Sequence, residues 1–315
     1  MNKDHLKFLC CPACKGDLKM KASALVCVKC GSSYKLVKGI PRFVPVENYA
    51  SNFGLEWNIH SKSQYDSHSG TNLSEKRFFE ETGWERNLKG QTILEVGSGS
   101  GRFTEHAAST GAMVVSMDYS NAVEANYASN GSKSNVLIVQ GSVYAMPFKE
   151  HFFDKVFCIG VLQHTPDPHK SFMCLPKYLK KGGSLVIDVY KKVPSIYFSL
   201  KYYVRPFTKR IPPRILYPMV KRYIDFMWPL AGLFRKISKH GKNINWALLI
   251  ADYSKYGLEE NILKEWAYLD TFDMLSPVYD YPQTLATVKR WVKGAKLVNV
   301  EVKYGYNGIE AKGSL

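Results

Sequence analysis

The chain has 315 residues, 45% of them hydrophobic and 22% charged, an apolar share that supports one large core with a small appendage and excludes global disorder. Its formal net charge of +16 is unevenly placed: residues 189–245 carry thirteen Lys and Arg against the single acid Asp225. A block of that kind either forms a solvated basic surface or meets an anionic partner, which could be nucleic acid, a phosphorylated substrate or lipid headgroups.

In chain order, Met1-Asn2-Lys3-Asp4-His5 lacks the apolar run of a signal peptide, so a cytoplasmic location is expected, with contact at the inner face of a membrane as its variant. Four of the seven cysteines then form two knuckles, Cys11-Pro12-Ala13-Cys14 and Cys27-Val28-Lys29-Cys30. With no export signal this pattern favours metal over disulfides, and four thiolates close a tetrahedron around a structural Zn2+ ion. Cys10 is a spare thiol, and Cys158 and Cys174 read as buried small residues. The text around the knuckles, from Leu9 to Leu18 and from Lys38 to Phe43, resembles a zinc-ribbon family whose free-standing members activate RNA and protein methyltransferases. The ribbon is expected over residues 1–46, fused in cis.

Residues 47–190 read as N-terminal helices followed by alternating strands and helices, the pattern of a parallel sheet. Strands are expected at Thr92–Val96, Ala112–Met117, Val136–Val139, Phe153–Ile159 and Ser184–Tyr190. Helices are expected from Arg102 to Ser109, after an N-cap at Ser120, and over Ser171–Leu179, with Lys181-Gly182-Gly183 as the turn into the fifth strand. Residues 191–281 are aromatic, basic and proline-punctuated. The most apolar part, Ile215 to Phe234, contains Lys221, Arg222, Asp225 and two prolines, so it should not span a bilayer. Residues 282–315 return to the pattern with a helix at Pro282–Lys293 and two strands, Leu297–Val302 and Gly308–Lys312, paired antiparallel through a tight turn.

Between the first strand and its helix lies Glu95-Val96-Gly97-Ser98-Gly99-Ser100-Gly101. Such a glycine turn lets a ligand approach the backbone, and Asp118, ending the next strand, can accept both hydroxyls of a ribose. Arg102 stands where a dinucleotide fingerprint wants glycine. Glu95 would repel a pyrophosphate and tolerate the ammonium and sulfonium of S-adenosyl-L-methionine.

These residues, with Asp118-Tyr119-Ser120, Gly141 to Phe148, Phe153 to Val156 and Lys181-Gly182-Gly183, resemble the successive motifs of class I S-adenosylmethionine-dependent methyltransferases. They most resemble the ubiquinone/menaquinone branch. The resemblance implies a doubly wound, mostly parallel seven-stranded α/β sheet, here with a helical insertion after the fifth strand. It also implies that Glu95, Gly97, Gly99 and Gly101 face the methionine part of the cofactor. Asp118 would then hold the ribose, Tyr119 and Val143 would lie against the adenine, and Ile159 and Gly160 would supply backbone near the methionine end. Ser142, with Val143, stands at the family's adenine-contacting position and is expected to bind the cofactor there, although the family often has Asp in its place.

The insertion at 191–281 leaves the carboxyl end of a strand, where ligands bind in open α/β sheets, and is assigned substrate recognition. Asp270, Asp273 and the aromatics around them either line a pocket or cap turns, and Trp57, Gln64 and Tyr65 precede the first strand where related enzymes cover the cofactor. His164 is the leading candidate for a general base, with a scaffolding role as its alternative, and Asp188 and Tyr190 follow. The expected substrate is an anionic or aromatic small molecule. RNA gripped by ribbon and basic block is the first rival, since some rRNA guanine methyltransferases resemble this layout. A lipid-linked substrate at the membrane surface is the second.

Overall fold

A computed structural model of the chain describes residues 1, 3–45, 47–192, 199–238 and 240–315. Val46 at the end of the expected ribbon, residues 193–198 at the head of the insertion, and Lys239 of the basic block lie outside the described residues.

The cysteine-marked segment folds as a four-stranded antiparallel sheet of β1 (Leu18–Lys21), β2 (Ala24–Cys27), β3 (Ser33–Val37) and β4 (Ile40–Pro41). Helices α1 (Ser51–Ile59), α2 (Asp66–Ser69) and α3 (Leu73–Thr82) follow. The core then alternates β5 (Thr92–Val96), α4 (Arg102–Ser109), β6 (Met113–Asp118), α5 (Val123–Asn130), β7 (Val136–Gln140), β8 (Phe153–Cys158), α6 (Pro168–Cys174) and β9 (Leu179–Val189). The insertion contributes α7 (Leu200–Thr208), α8 (Pro213–Ile237), α9 (Gly241–Ala247) and α10 (Glu260–Leu275), and α11 (Leu285–Gly294), β10 (Val298–Tyr304) and β11 (Ile309–Ser314) close the chain.

The large sheet has seven strands in the order β10-β11-β9-β8-β5-β6-β7. The pairs from β9 to β7 are parallel, and β11 pairs antiparallel with both β9 and β10. Both faces of its central strands are covered, so consecutive apolar residues are buried on each: Ile93 and Leu94, Val114 and Val115, Val156 and Phe157. The expected doubly wound architecture is therefore the one observed.

Several boundaries differ from expectation, each for a local reason. The helix expected at 171–179 starts earlier, because Asp167 caps it by accepting the Lys170 amide at 2.9 Å and Pro168 fills its first turn. It stops before Pro176, and a 3-10 turn, Pro176–Tyr178, hands over to β9 at Leu179. Lys181-Gly182-Gly183 is a bulge inside that strand rather than a turn before it: Phe153 pairs with Leu179 but Lys155 pairs with Ser184. Ser120 is not the helix cap. Its hydroxyl donates to Asp118 at 2.7 Å and accepts the Ala122 amide at 3.1 Å, bracing the turn ahead of α5. The helix expected from Pro282 starts at Leu285, because Thr284 caps it by accepting the Thr287 amide.

The insertion packs as its own helical layer over the carboxyl ends of the strands. Leu216, Val220, Ile224 and Ala231 of α8 are buried against Ala267, Phe272 and Leu275 of α10. Pro218 and Pro229 do not interrupt α8; both face solvent, where water can satisfy the carbonyls they free. No helix of the described residues is long and apolar enough to cross a membrane.

Candidate cofactor and acceptor site

The floor of the site is the turn between β5 and α4. Gly97, Gly99 and Gly101 all have positive φ, at 87°, 52° and 94°. A Cβ on Gly97 would stand 2.2 Å from Val161 Cγ2, and one on Gly101 would stand 2.2 Å from Asn126 Oδ1, so conformation and space both require glycine. The turn is held from outside. The Tyr65 hydroxyl donates to the Ser100 carbonyl at 2.8 Å, and Asn130 Nδ2 donates to the Gly101 carbonyl at 3.1 Å. Asp118 accepts the Gly99 amide at 2.9 Å through Oδ2 and the Ser120 amide at 2.7 Å through Oδ1. Burial pushes the Asp118 carboxyl up, and these hydrogen bonds oppose the rise.

Above the turn lies a cavity of about 770 Å³ between the carboxyl edge of the sheet, α1 and α10. Gly97, Gly99, Asp118, Tyr119, Val143, Ile159 and Gly160 line it, as do His164 and Tyr190 from farther along the same edge. Four of the expected residues stand behind this wall instead. Glu95 lies beneath the turn, 1% exposed, accepting hydrogen bonds from Thr104 and, at 2.7 Å, from Ser116. Burial pushes its carboxyl up to about 7. Gly101 shapes the turn, and the Ser142 hydroxyl accepts the Tyr144 amide at 3.3 Å. Asp188 is fully buried, with one oxygen 2.6 Å from Arg77 Nη2 and the other accepting the Gly160 amide.

The three residues weighed for acid–base work thus separate. Asp188 is a positioning residue behind Gly160. His164 lies on the cavity wall with its ring against Phe53 and Tyr190, centroids 5.1 and 5.3 Å away. Its Nδ1 is 3.0 Å from the Tyr279 carbonyl, which only accepts, so Nδ1 carries the proton and Nε2 is the basic nitrogen. The Tyr190 hydroxyl donates to Asp273 Oδ2 at 3.3 Å, and burial pushes this phenol well up.

The insertion and the N-terminal helices complete the walls. Trp57 lies over the turn, its indole 3.2 Å from where a Gly99 Cβ would be, and Tyr49 stacks on Tyr119 at 4.8 Å. Asp270, Asp273, Trp266 and Gln64 all face the cavity, so the insertion's acids and aromatics line it. Sequence reasoning missed Glu56, Arg77 and Tyr253. The usable signal for Glu56 was its place three residues after Phe53 on one helix face, and for Arg77 its spacing of four from Glu81.

At the other end of the chain the Sγ atoms of Cys11, Cys14, Cys27 and Cys30 all lie within 4.8 Å of one another. The amides of Lys29 and Cys30 point at Cys27 Sγ from 3.4 and 3.5 Å, a donor set suited to a thiolate bound to Zn2+. Cys10 is not a ligand; its thiol donates to the Phe148 carbonyl at 2.9 Å. The ribbon docks on the β7 side of the sheet: Phe43 donates to the Gln140 carbonyl at 2.9 Å and Lys15 Nζ to the Met146 carbonyl at 2.9 Å.

Comparison with known proteins matches residues 94–187 to a family described as a methyltransferase domain and residues 2–39 to one described as Trm112p-like protein. A ubiquinone biosynthesis O-methyltransferase of Xanthomonas oryzae pv. oryzae is 29% identical over 146 residues, 45% of this chain and 59% of the relative. A tRNA U34 carboxymethyltransferase of Campylobacter curvus is 28% identical over 131 residues, 36% of this chain and 44% of the relative. The chain thus spans about half the length of the curated relatives it matches. Among solved structures, a Methanococcus maripaludis protein aligns over 86% of this chain and 95% of its own at 14% identity, with a TM-score of 0.46. The polypeptide joins a Trm112p-like zinc-ribbon domain at its N-terminus to a methyltransferase domain of class I architecture.

Proposed function

We propose that the chain is an S-adenosyl-L-methionine-dependent methyltransferase whose acceptor is a small molecule enclosed between the sheet edge and the insertion. The observation that carries this reading is the single cavity that runs from the glycine turn and Asp118 to the aromatic inner wall of α10. When bound, the cofactor supplies an electrophilic methyl group on sulfur. Asp118 holds the ribose, Tyr119 and Val143 flank the adenine, and the backbone of residues 97–100 and 159–160 lies along the methionine part. Arg102, a cation on the same wall whose burial pulls it down to about 10, offers a partner for the methionine carboxylate. The chain's own contribution is mainly positioning and exclusion of water. His164 Nε2 is placed to take a proton from an acceptor that arrives protonated.

Calorimetry tests the cofactor assignment. S-adenosylhomocysteine should bind, NAD(H) should not, and Asp118→Ala should weaken the former; the reverse preference defeats the reading. His164→Ala should lower turnover and remove one limb of its pH profile, and unchanged turnover at every pH takes His164 out of the reaction.

The outer surface of the insertion favours a membrane over RNA as its partner. Helix α8 exposes Ile215, Met219, Tyr223, Phe226, Leu230, Leu233 and Ile237 in one stripe at spacings of three and four, with Phe226 82% exposed. Arg222 and Lys236 border it. Apolar residues edged by cations suit an anionic lipid interface, whereas RNA binding wants cations across the contact itself. Co-sedimentation with phosphatidylglycerol vesicles, lost in a Phe226→Glu/Ile237→Glu variant, is the expected result. Salt-sensitive RNA binding without vesicle binding would reverse the preference.

A further inference from the structure

The cavity has an acidic wall on the side of α1 and α10. Glu56 projects from α1, and Asp270 and Asp273, three residues apart on α10, face the same space. Glu56 is 0% exposed, and neither of its carboxylate oxygens has a hydrogen-bond partner. Gln64 Oε1, on the same wall, is also unpartnered. Asp273 accepts from Tyr190 at 3.3 Å, and Asp270 accepts from Tyr253 and, at 3.4 Å, from Gln64 Nε2.

The nearby cations do not balance these acids. Arg77 is committed to Glu81 and Asp188, each at 2.6 Å, and Lys201 to Asp280 at 2.6 Å. Arg102 faces Asp270, and on the functional reading above it also meets the cofactor's carboxylate. Burial, reinforced by Asp273 and Asp270, pushes the Glu56 carboxyl well up. A buried acid with no donor is costly, and its removal would be easy for the fold to accept. Its place on a cavity wall is explained if a ligand brings the donor.

The spacing selects the kind of cation. Among the described residues, only the four ribbon cysteines bring three or more metal-ligating atoms within 4.8 Å of one another, so the wider-set acids do not form a cage for a bare ion. They suit a larger group, and Tyr253 and Trp266, with ring centroids 5.2 Å apart, add aromatic faces of the kind that attract organic cations.

We propose that Glu56, Asp270 and Asp273 form an ammonium pocket, and that the acceptor is an organic amine bound with its cationic end against this wall. The inference rests on the methyltransferase reading and refines it: the insertion's outer surface is basic, but its inner wall sets the sign of the acceptor.

Matched probes test it: tryptamine against indole-3-propionate, titrated calorimetrically into the full-length zinc-loaded chain with and without S-adenosylhomocysteine. The amine is expected to bind at least tenfold more tightly than the acid. Glu56→Gln should melt no lower than the wild type, lose at least tenfold in tryptamine affinity, and keep S-adenosylhomocysteine affinity within twofold. Asp273→Asn serves as the second variant if Glu56→Gln does not fold. Absence of an amine preference, or a variant that keeps it, overturns the proposal. So does an equal loss of S-adenosylhomocysteine affinity, which would give Glu56 to the cofactor's own ammonium. If the wild type takes up no S-adenosylhomocysteine, the functional reading fails separately, and the amine preference of the ligand-free chain still decides the pocket.

Discussion

Asp188 gives the sharpest test of how this site is built. Its two oxygens are used, one by Arg77 at 2.6 Å and one by the Gly160 amide, and it stands behind the cavity wall. Asp188→Ala leaves the Arg77 guanidinium with Glu81 alone and takes the acceptor from the Gly160 amide. Removing one partner of a buried ion pair costs about 3–5 kcal/mol. At roughly 2–4 °C per kcal/mol for a domain of this size, the melting midpoint should fall by on the order of 10 °C. Cofactor affinity should fall with it, because Gly160 lines the cavity and is proposed to lie along the methionine part. Asp188→Asn keeps an acceptor for the Gly160 amide, so it should lose stability but retain most of the S-adenosylhomocysteine affinity. Differential scanning calorimetry, titration calorimetry and turnover on the same samples check this. An Asp188→Ala chain that melts within about 2 °C of the wild type would refute the network argument. An Asp188→Asn chain with intact stability and cofactor affinity but no turnover would return Asp188 to the chemistry.

Four further outcomes are expected. Glu81 shares Arg77 with Asp188, and burial pushes its carboxyl up to about 8; this raised value favours the neutral form, so its contribution is full below the ordinary carboxylate range and drains away as pH rises through 8. Glu81→Gln should therefore flatten the fall in melting temperature between about pH 4.5 and 8. Glu95, raised to about 7, is protonated below that pH, and a cationic ligand favours its carboxylate, so S-adenosylmethionine affinity should weaken from pH 8 to pH 5 by about tenfold for each unit the ligand lowers that value. Titration calorimetry should find the dependence gone in Glu95→Gln, and a flat wild-type profile would defeat the argument. Gly97→Ala, with its Cβ 2.2 Å from Val161, should keep the fold by circular dichroism and lose at least about a hundredfold in S-adenosylhomocysteine affinity. Chelation of zinc, worth roughly 10–16 kcal/mol in small structural sites, should abolish hydrogen-exchange protection across residues 18–41 and weaken cofactor binding through the loop that holds Met146 and Val143.

Much of the sheet was legible because its signals are local. Short apolar stretches between turn residues mark β5 to β8, and the glycines after β5 are marked by their strand-to-helix position and positive φ. The cysteine knuckles are likewise a short-range pattern. What escaped depends on long-range pairing. Tyr65 supports the turn by bonding Ser100, Glu56 matters because α10 crosses above it more than two hundred residues later, and Asp188 reads as an acid at a strand end until Arg77 is brought beside it. The bulge at residues 181–183 was invisible for the same reason: a strand's register is set by its partner.

The ribbon shows the same division. Its thiol spacing announces the metal, but its docking beside β7 joins an apolar seam, in which Phe8, Leu9, Leu18 and Leu25 share a buried core with Val139, Met146 and Phe148, to backbone hydrogen bonds. Leu9 bridges Phe148, Cys10 donates to the Pro147 carbonyl at 2.8 Å, and Arg42 pairs in parallel with Gln140 while its side chain reaches Glu124 at 2.9 Å. These contacts cover what would otherwise be an open sheet edge, a ready template for unwanted pairing. They also brace the segment between β7 and β8 that supplies Gly141 and Val143 to the cavity wall. Because ribbon and sheet belong to one polypeptide, docking is intramolecular and needs no association step. The shared apolar core, the backbone hydrogen bonds and buried Arg42 then fix the ribbon against the segment that carries Val143 and Met146, outside the cavity.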